Sequence, residues 1–278
     1  MLYGTIPIFG KISVTIFSPL FVTFTIPLVV AILLGLIVVI KKKVIKNLAK
    51  KDVLWILALG FFAALGSLFS FKGLSLGRAS DAGFLLQLEI VFAAILAYIF
   101  LKEKLFTKQI IGLIFMIFGV YVFFFGEVFP LRIANILFLS ASFVWGINDV
   151  IVRKNLKTLS PFYLAFGRYF FSSIIIFPFA ASSFYENTKK VTIENALFLL
   201  LYAILIAGLI LLLYHALKYV KTAEAIAFQL LAPILTAIIS FFFLGERMEI
   251  ARLVGGIVIL VGLFLMIERK ANIAHKLN

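Results

Sequence analysis

YHALKYVKTAEAIAFQLLAPILTAIISFFFLGERMEIARLVGGIVILVGLFLM, residues 214–266, has a counterpart 143 positions earlier in FKGLSLGRASDAGFLLQLEIVFAAILAYIFLKEKLFTKQIIGLIFMIFGVYVF, residues 71–123. Laid on one another without a gap, the two match Leu74 with Leu217, Ala82 with Ala225, Ala94 with Ala237 and Phe100 with Phe243. Glu103 falls on Glu246, Gly112 on Gly255 and Gly119 on Gly262. Apolar matches come easily between two hydrophobic stretches, but a carboxylate and two glycines in register mark a duplicated unit. An offset of 142 joins the fronts of the halves: Gly4 with Gly146, Lys11 with Arg153, Ser18-Pro19 with Ser160-Pro161, and Phe24 with Phe166. The chain divides into a first repeat, 1–126, a second, 131–268, and a basic tail, 269–278.

The solvent for these repeats follows from composition. Of 278 residues, 64% are hydrophobic and only 14% charged, with 33 Phe. No soluble packing hides that much apolar surface, so the lipid bilayer is the expected surrounding. With no cysteine there is no disulfide framework or thiolate metal site, and two histidines are too few for a metal cluster. No metal and no cofactor is expected. The net charge of +14 does not point to nucleic acid, because the basic residues sit between hydrophobic segments.

Two hydrophobic pieces flank Ser18-Pro19, the second running to Ile40, and KKKVIKNLAKKD follows at 41–52. Further spans are expected at 53–76, 82–101, 109–126, 133–152, 162–184, 196–217, 223–244 and 251–267. With the opening segment this makes ten helices near the 20 residues a bilayer needs, joined by short loops. If the N-terminus lies inside, most of the 26 basic residues fall in inside loops, which favours both termini in the cytoplasm. Five helices per repeat is odd, so the second repeat enters from the opposite side. The expected fold is an all-α polytopic membrane protein of two inverted-topology five-helix repeats. About a dozen residues precede the part of the second repeat that matches Met1, and the first helix lacks them. The expectation is a late start or a truncation of roughly twelve residues, half a bilayer's thickness.

Family-level signals sit on the repeat boundaries. VWGINDVIVRKNLKTLSPFYLAFGRYFF (144–171) resembles the entry to a repeat in EamA-type members of the drug/metabolite transporter superfamily. LEIVFAAILAYIFLKEKL (88–105) and LAPILTAIISFFFLGERM (231–248) resemble that family's repeat ending, each followed by a glycine-bearing helix. The resemblance covers essentially the whole chain. It implies ten helices, an inverted repeat and alternating-access movement of small metabolites, often amino acids, in the export direction. The chain departs from its own symmetry at Arg168 against Ile26, Pro233 against Ile90 and Gly245 against Lys102.

Polar side chains at membrane depth tend to face a bundle interior or watery cavity. Glu89, with Gln87 nearby, is the sharpest case: a carboxylate there either takes a cationic group or a coupling proton, or locks helices by pairing with a cation. Trp145, Asn148 and Asp149 lie near the end of their span. They belong either to a site or to an interfacial helix end in which Asp149 reaches Arg153. Arg168, followed by Tyr169, either holds a substrate carboxylate with its fork or neutralises Asp149. His215, opposite Lys72, either snorkels to water or takes part in gating. Gln229 and Lys11 are weaker candidates. Gly112 and Gly119, like Gly255 and Gly262, are spaced by seven residues and are expected to let helices approach closely, with Gly73-x-x-x-Gly77 offering a similar contact. Glu103 and Glu246 are expected to pair locally with Lys104 and Arg247.

There is no nucleotide-binding G-x-x-x-x-G-K-[ST] stretch, so transport is expected to be secondary, with a proton as a candidate coupling ion. An enzyme is not expected, since no nucleophile–base or metal constellation converges. The rival functions are exchange or import of an anionic metabolite such as a sugar phosphate, favoured by Arg168, Lys72 and Lys11, and a channel.

Overall fold

The computed structural model describes residues 2–40, 49–124, 132–220, 222, 225, 229, 231–246 and 249–266. The expected tail at 269–278, most of the lysine run after Ile40 and the loop between the repeats lie outside the described residues. Within them the chain is helical, with no strand. The helices are α1 (Leu2–Ile16), α2 (Pro19–Ile40), α3 (Lys50–Leu76), α4 (Ala79–Leu101), α5 (Thr107–Phe123) and α6 (Ile133–Asn155). They continue with α7 (Pro161–Thr188), α8 (Ile193–Tyr219), α9 (Ala232–Leu244) and α10 (Ile250–Met266). Six of them, α2, α3, α4, α6, α7 and α8, are long and apolar enough to cross a membrane, and the other four are shorter apolar helices.

The outside of the bundle is apolar. Ile114, Phe118, Phe179, Phe242, Phe243 and Ile257 are each more than half exposed. In water such a surface would aggregate, whereas in lipid it is the favourable one. The chain is a multi-pass membrane protein.

Local sequence sets the helix ends. The Ser18 hydroxyl accepts from the Phe21 N–H at 3.3 Å, and the Ser160 hydroxyl accepts from the Tyr163 N–H at 3.3 Å. In both places a serine caps the N-terminus and the following proline, which has no N–H to lose, opens the first turn. At the other end, α4 and α9 stop on left-handed residues, Lys102 at φ 55° and Gly245 at φ 65°. The next N–H in each case reaches back six residues, from Glu103 to the Ala97 carbonyl at 3.2 Å and from Glu246 to the Ser240 carbonyl at 3.1 Å. Each of these features recurs at the 142- or 143-residue interval.

Packing between helices also follows small residues. α5 lies along α10 with glycines facing glycines: a Cβ on Gly112 would come 2.7 Å from the Gly262 carbonyl oxygen, and one on Gly119 would come 2.9 Å from that of Gly255. Gly73 and Gly77 let α6 approach α3, with Phe138 and Ala134 filling the space a side chain would need. The main helix contacts are α3 with α6, α2 with α7, α3 with α7, α4 with α6, α2 with α8 and α4 with α9. A buried ion pair adds a tie from α4 to α10, with Arg252 Nη1 donating to both carboxylate oxygens of Asp81 at 2.9 Å.

Glu103 does not follow the expectation of a local pair, and Glu246 reaches another helix. Glu103 receives Arg153 Nε at 3.1 Å and the Thr222 N–H at 3.1 Å. Glu246 receives the Ala79 N–H at 2.8 Å, the Ser80 N–H at 2.9 Å and the Ser80 hydroxyl at 2.7 Å. For Glu246 the left-handed turn ahead of it points it at the start of α4, whose first N–H groups have no intrahelical acceptor. Arg247 lies outside the described residues.

Candidate functional site

The bundle encloses a cavity of about 120 Å³. Most of its wall is apolar, including Ile26, Pro27, Phe71 and Leu213. The polar contributions are few: Tyr3 from α1, Ser67 and Ser70 from α3, Glu89 from α4, Trp145 from α6, Arg168 and Tyr169 from α7, and Tyr202 from α8. A mainly apolar hollow with a few converging polar groups is the usual form of a small-molecule site.

Arg168 reaches this hollow because Pro161 starts α7 two turns earlier and sets its inward face. Its Nη1 donates to the Tyr214 hydroxyl at 3.0 Å, and its guanidinium stands 5.6 Å from the centre of the Tyr169 ring. Glu89 enters from α4 just after the single 3-10 turn Leu86–Leu88, where the helix tightens. Asp149 is fully buried on α6, and it and Arg168 lie in the electrostatic neighbourhood of Glu89. Among the described residues, the Asp149 oxygens, Arg168 Nε and Trp145 Nε1 have no hydrogen-bond partner. The three charged side chains form one cluster drawn from three helices and both halves of the chain.

The structure sorts the sequence candidates. Glu89, Trp145, Arg168 and Tyr169 line the cavity, and Asp149 backs it. Trp145 packs against Gly66, which has no side chain to obstruct the indole. Asp149 does not pair with Arg153, because the arginine is held by Glu103 and by the Leu217 carbonyl. Asn148 faces α3, and with its amide turned so that both ends are satisfied the nitrogen donates to the Leu59 carbonyl at 3.3 Å and the oxygen accepts from the Ala63 N–H at 3.2 Å. It ties α6 to α3 rather than lining the hollow. Gln87 is buried on α4, and Gln229 is partly buried, both off the cavity wall. His215 is half-buried, its Nδ1 2.7 Å from the Leu211 carbonyl and its ring edge-on to Phe162. Lys11 caps the end of α3, donating to the Leu74 carbonyl at 2.8 Å and the Gly77 carbonyl at 2.7 Å.

Sequence reasoning missed Tyr3, Ser67, Ser70, Tyr202 and Tyr214. A hydroxyl in an apolar run carries little signal of its own, and nothing in their spacing sets these apart from other serines and tyrosines in the chain.

The family model for EamA-like transporters matches the chain twice, over residues 1–125 and 132–268. The chain belongs to the EamA-like transporter family. It is similar to an uncharacterised transporter of Archaeoglobus fulgidus, 25% identical over 225 residues that cover 76% of this chain and 74% of that one. It is also similar to the riboflavin transporter ImpX of Fusobacterium nucleatum subsp. nucleatum, 26% identical over 234 residues, covering 80% of this chain and 78% of the relative. A crystal structure with 13% identity superposes with a TM-score of 0.64 over 95% of this chain and 94% of its own, a likeness of fold. The relatives are named transporters, and this EamA-family chain is a membrane transport protein for small molecules.

Proposed function

We propose that this transporter is a secondary carrier that moves a small polar metabolite by alternating access between two inverted five-helix repeats, 1–126 and 131–268, with ten crossings. Both termini lie in the cytoplasm and the membrane is the cytoplasmic one, as the lysine-rich loops require. The doubled family match and the recurrence of caps and turns at a fixed interval support the repeat. So does the contact pattern, in which α3 with α7 and α8 with α2 exchange when the halves are swapped.

The observation that carries the reading is the Glu89, Asp149 and Arg168 cluster in a cavity where helices of both halves meet. Substrate sites in inverted-repeat carriers lie at that interface near the midplane. The cavity of about 120 Å³ is smaller than the roughly 300–1,000 Å³ of a typical ligand site, which favours a small cargo. Amino acids or related compounds fit a site offering both a carboxylate pair and an arginine, moved in the direction of export. The riboflavin transporter among the relatives supports a metabolite as cargo. A second reading, exchange or import of an anionic metabolite, is favoured by the placement of Arg168 on the cavity wall with Nη1 alone tied to Tyr214.

In this reading Glu89 takes a coupling proton and releases it when a cationic group arrives, which couples transport to the proton gradient. The test is Glu89→Gln in proteoliposomes, with the substrate chosen by comparing metabolites of cells that do and do not overexpress the protein. Transport driven by a pH gradient should fall about tenfold, the effect of removing one hydrogen-bonded charge from a buried site, with membrane insertion intact. Unchanged transport by the variant would sink the assignment.

A further inference from the structure

At each end of α4 there is a clamp built to the same plan. At one end, Lys11 is fixed to the carbonyls that finish α3, and the N–H groups of Ala79 and Ser80 open α4. All of these belong to the first half, and together they hold Glu246 of the second half, with Lys11 in electrostatic reach of its carboxylate. At the other end, Arg153 is fixed to the Leu217 carbonyl that finishes α8, beside the Thr222 N–H. Those belong to the second half and hold Glu103 of the first. The correspondence is residue by residue: Lys11 with Arg153 at the 142 interval, and Leu74 with Leu217, Ala79 with Thr222 and Glu246 with Glu103 at 143. α4 has 23 residues, about 34 Å at 1.5 Å each, so the two clamps stand on opposite sides of the bundle.

We infer that these two clamps are the latches of the transport cycle, one closing each face of the membrane by gripping a glutamate of the opposite repeat. This rests on the carrier reading above. Each latch joins the halves at a face, and so must open for the cavity to reach that face. Each is only half-buried, the Glu103 and Arg153 side chains being 16% and 26% exposed, so water replaces the bonds when a latch parts. A charge-assisted hydrogen bond with that replacement available is strong enough to bias a conformational equilibrium and weak enough to be broken in each cycle. Because the two are built alike, opening one and closing the other changes the free energy little, which is what a reversible two-state rocker needs. Glu103, Arg153, Glu246 and Lys11 are positioning residues in this scheme. They lie off the cavity wall and act by setting which face is open.

The chain has no cysteine, so a single Ser67→Cys on the cavity wall reports access without background. A membrane-impermeant thiol reagent is applied to sealed right-side-out and inside-out vesicles. The Ser67→Cys protein alone tests the carrier reading: labelling from both faces agrees with it, and labelling from one face only contradicts it, whatever the latches do. With two-face labelling established, Glu246→Gln should raise the labelling rate from one face relative to the other by roughly tenfold, the weight of one charge-assisted hydrogen bond. Glu103→Gln should shift the ratio by a similar factor the opposite way. Lys11→Gln should move with Glu246→Gln, and Arg153→Gln with Glu103→Gln, which carries the test if a glutamate variant does not assemble on size-exclusion chromatography. Shifts in the same direction for both clamps, or no shift in correctly assembled variants, would overturn the assignment.

Discussion

Lys102 ends α4 in a left-handed conformation that glycine adopts freely and other residues do not, and its counterpart in the second half is Gly245. A Cβ in that region costs about 1–2 kcal/mol, partly offset by the smaller chain entropy that lysine loses on folding. Lys102→Gly should therefore stabilise the protein by up to about 1 kcal/mol, read as a rise in the thermal unfolding midpoint in detergent. A fall would show that the lysine side chain contributes more than its backbone strain takes away. At this scale the sequence spoke unevenly. Glu89, Asp149 and Arg168 stand out because a charge in an apolar run is expensive unless it has work or a partner. Tyr202 and Tyr214 do not, since the chain has nine tyrosines and their hydroxyls acquire meaning only from the helices that converge on Arg168.

Between helices, the glycines of α5 and α10 decide how closely backbones approach. A Cβ on Gly255 would press on the backbone nitrogen and Cα of Phe123, and a main chain cannot swing aside as a flexible side chain would. Gly255→Ala should destabilise the fold by about 1–3 kcal/mol. Gly208 in α8 is the matched control, because a Cβ there has nothing within 4 Å. Gly208→Ala should be neutral or stabilising by up to about 1 kcal/mol, the helix propensity of alanine over glycine. If both glycines behave alike in thermal unfolding, close packing of α5 on α10 is not what Gly255 is for. Helix ends were readable in advance where capping chemistry is local, as at Ser18-Pro19 and Ser160-Pro161. The reach of Glu103 and Glu246 was not, because the N–H donors of Thr222 and Ala79 lie 119 and 167 positions away in sequence and only the fold brings them together.

For the whole molecule, the duplicated pattern made a polytopic helical chain legible before any coordinates, since the 142- and 143-residue offsets and the lack of a polar exterior need no tertiary information. What the offsets did not disclose is where the copies differ in use. The symmetry-related latches are alike, yet the cavity is lopsided: Glu89 has Ala232 as its counterpart and Arg168 has Ile26. In the proposed carrier the paired latches balance the two states and the asymmetric lining selects the cargo. The central claim is that a single site is carried from one face to the other, not that a pore runs through the bundle. Counterflow tests it most directly: proteoliposomes are preloaded with the unlabelled compound singled out by the metabolite comparison, and uptake of its labelled form is followed. A carrier predicts faster and transiently concentrative uptake into preloaded vesicles than into empty ones. Equal uptake in the two, with simple equilibration, would contradict alternating access and leave a channel in its place.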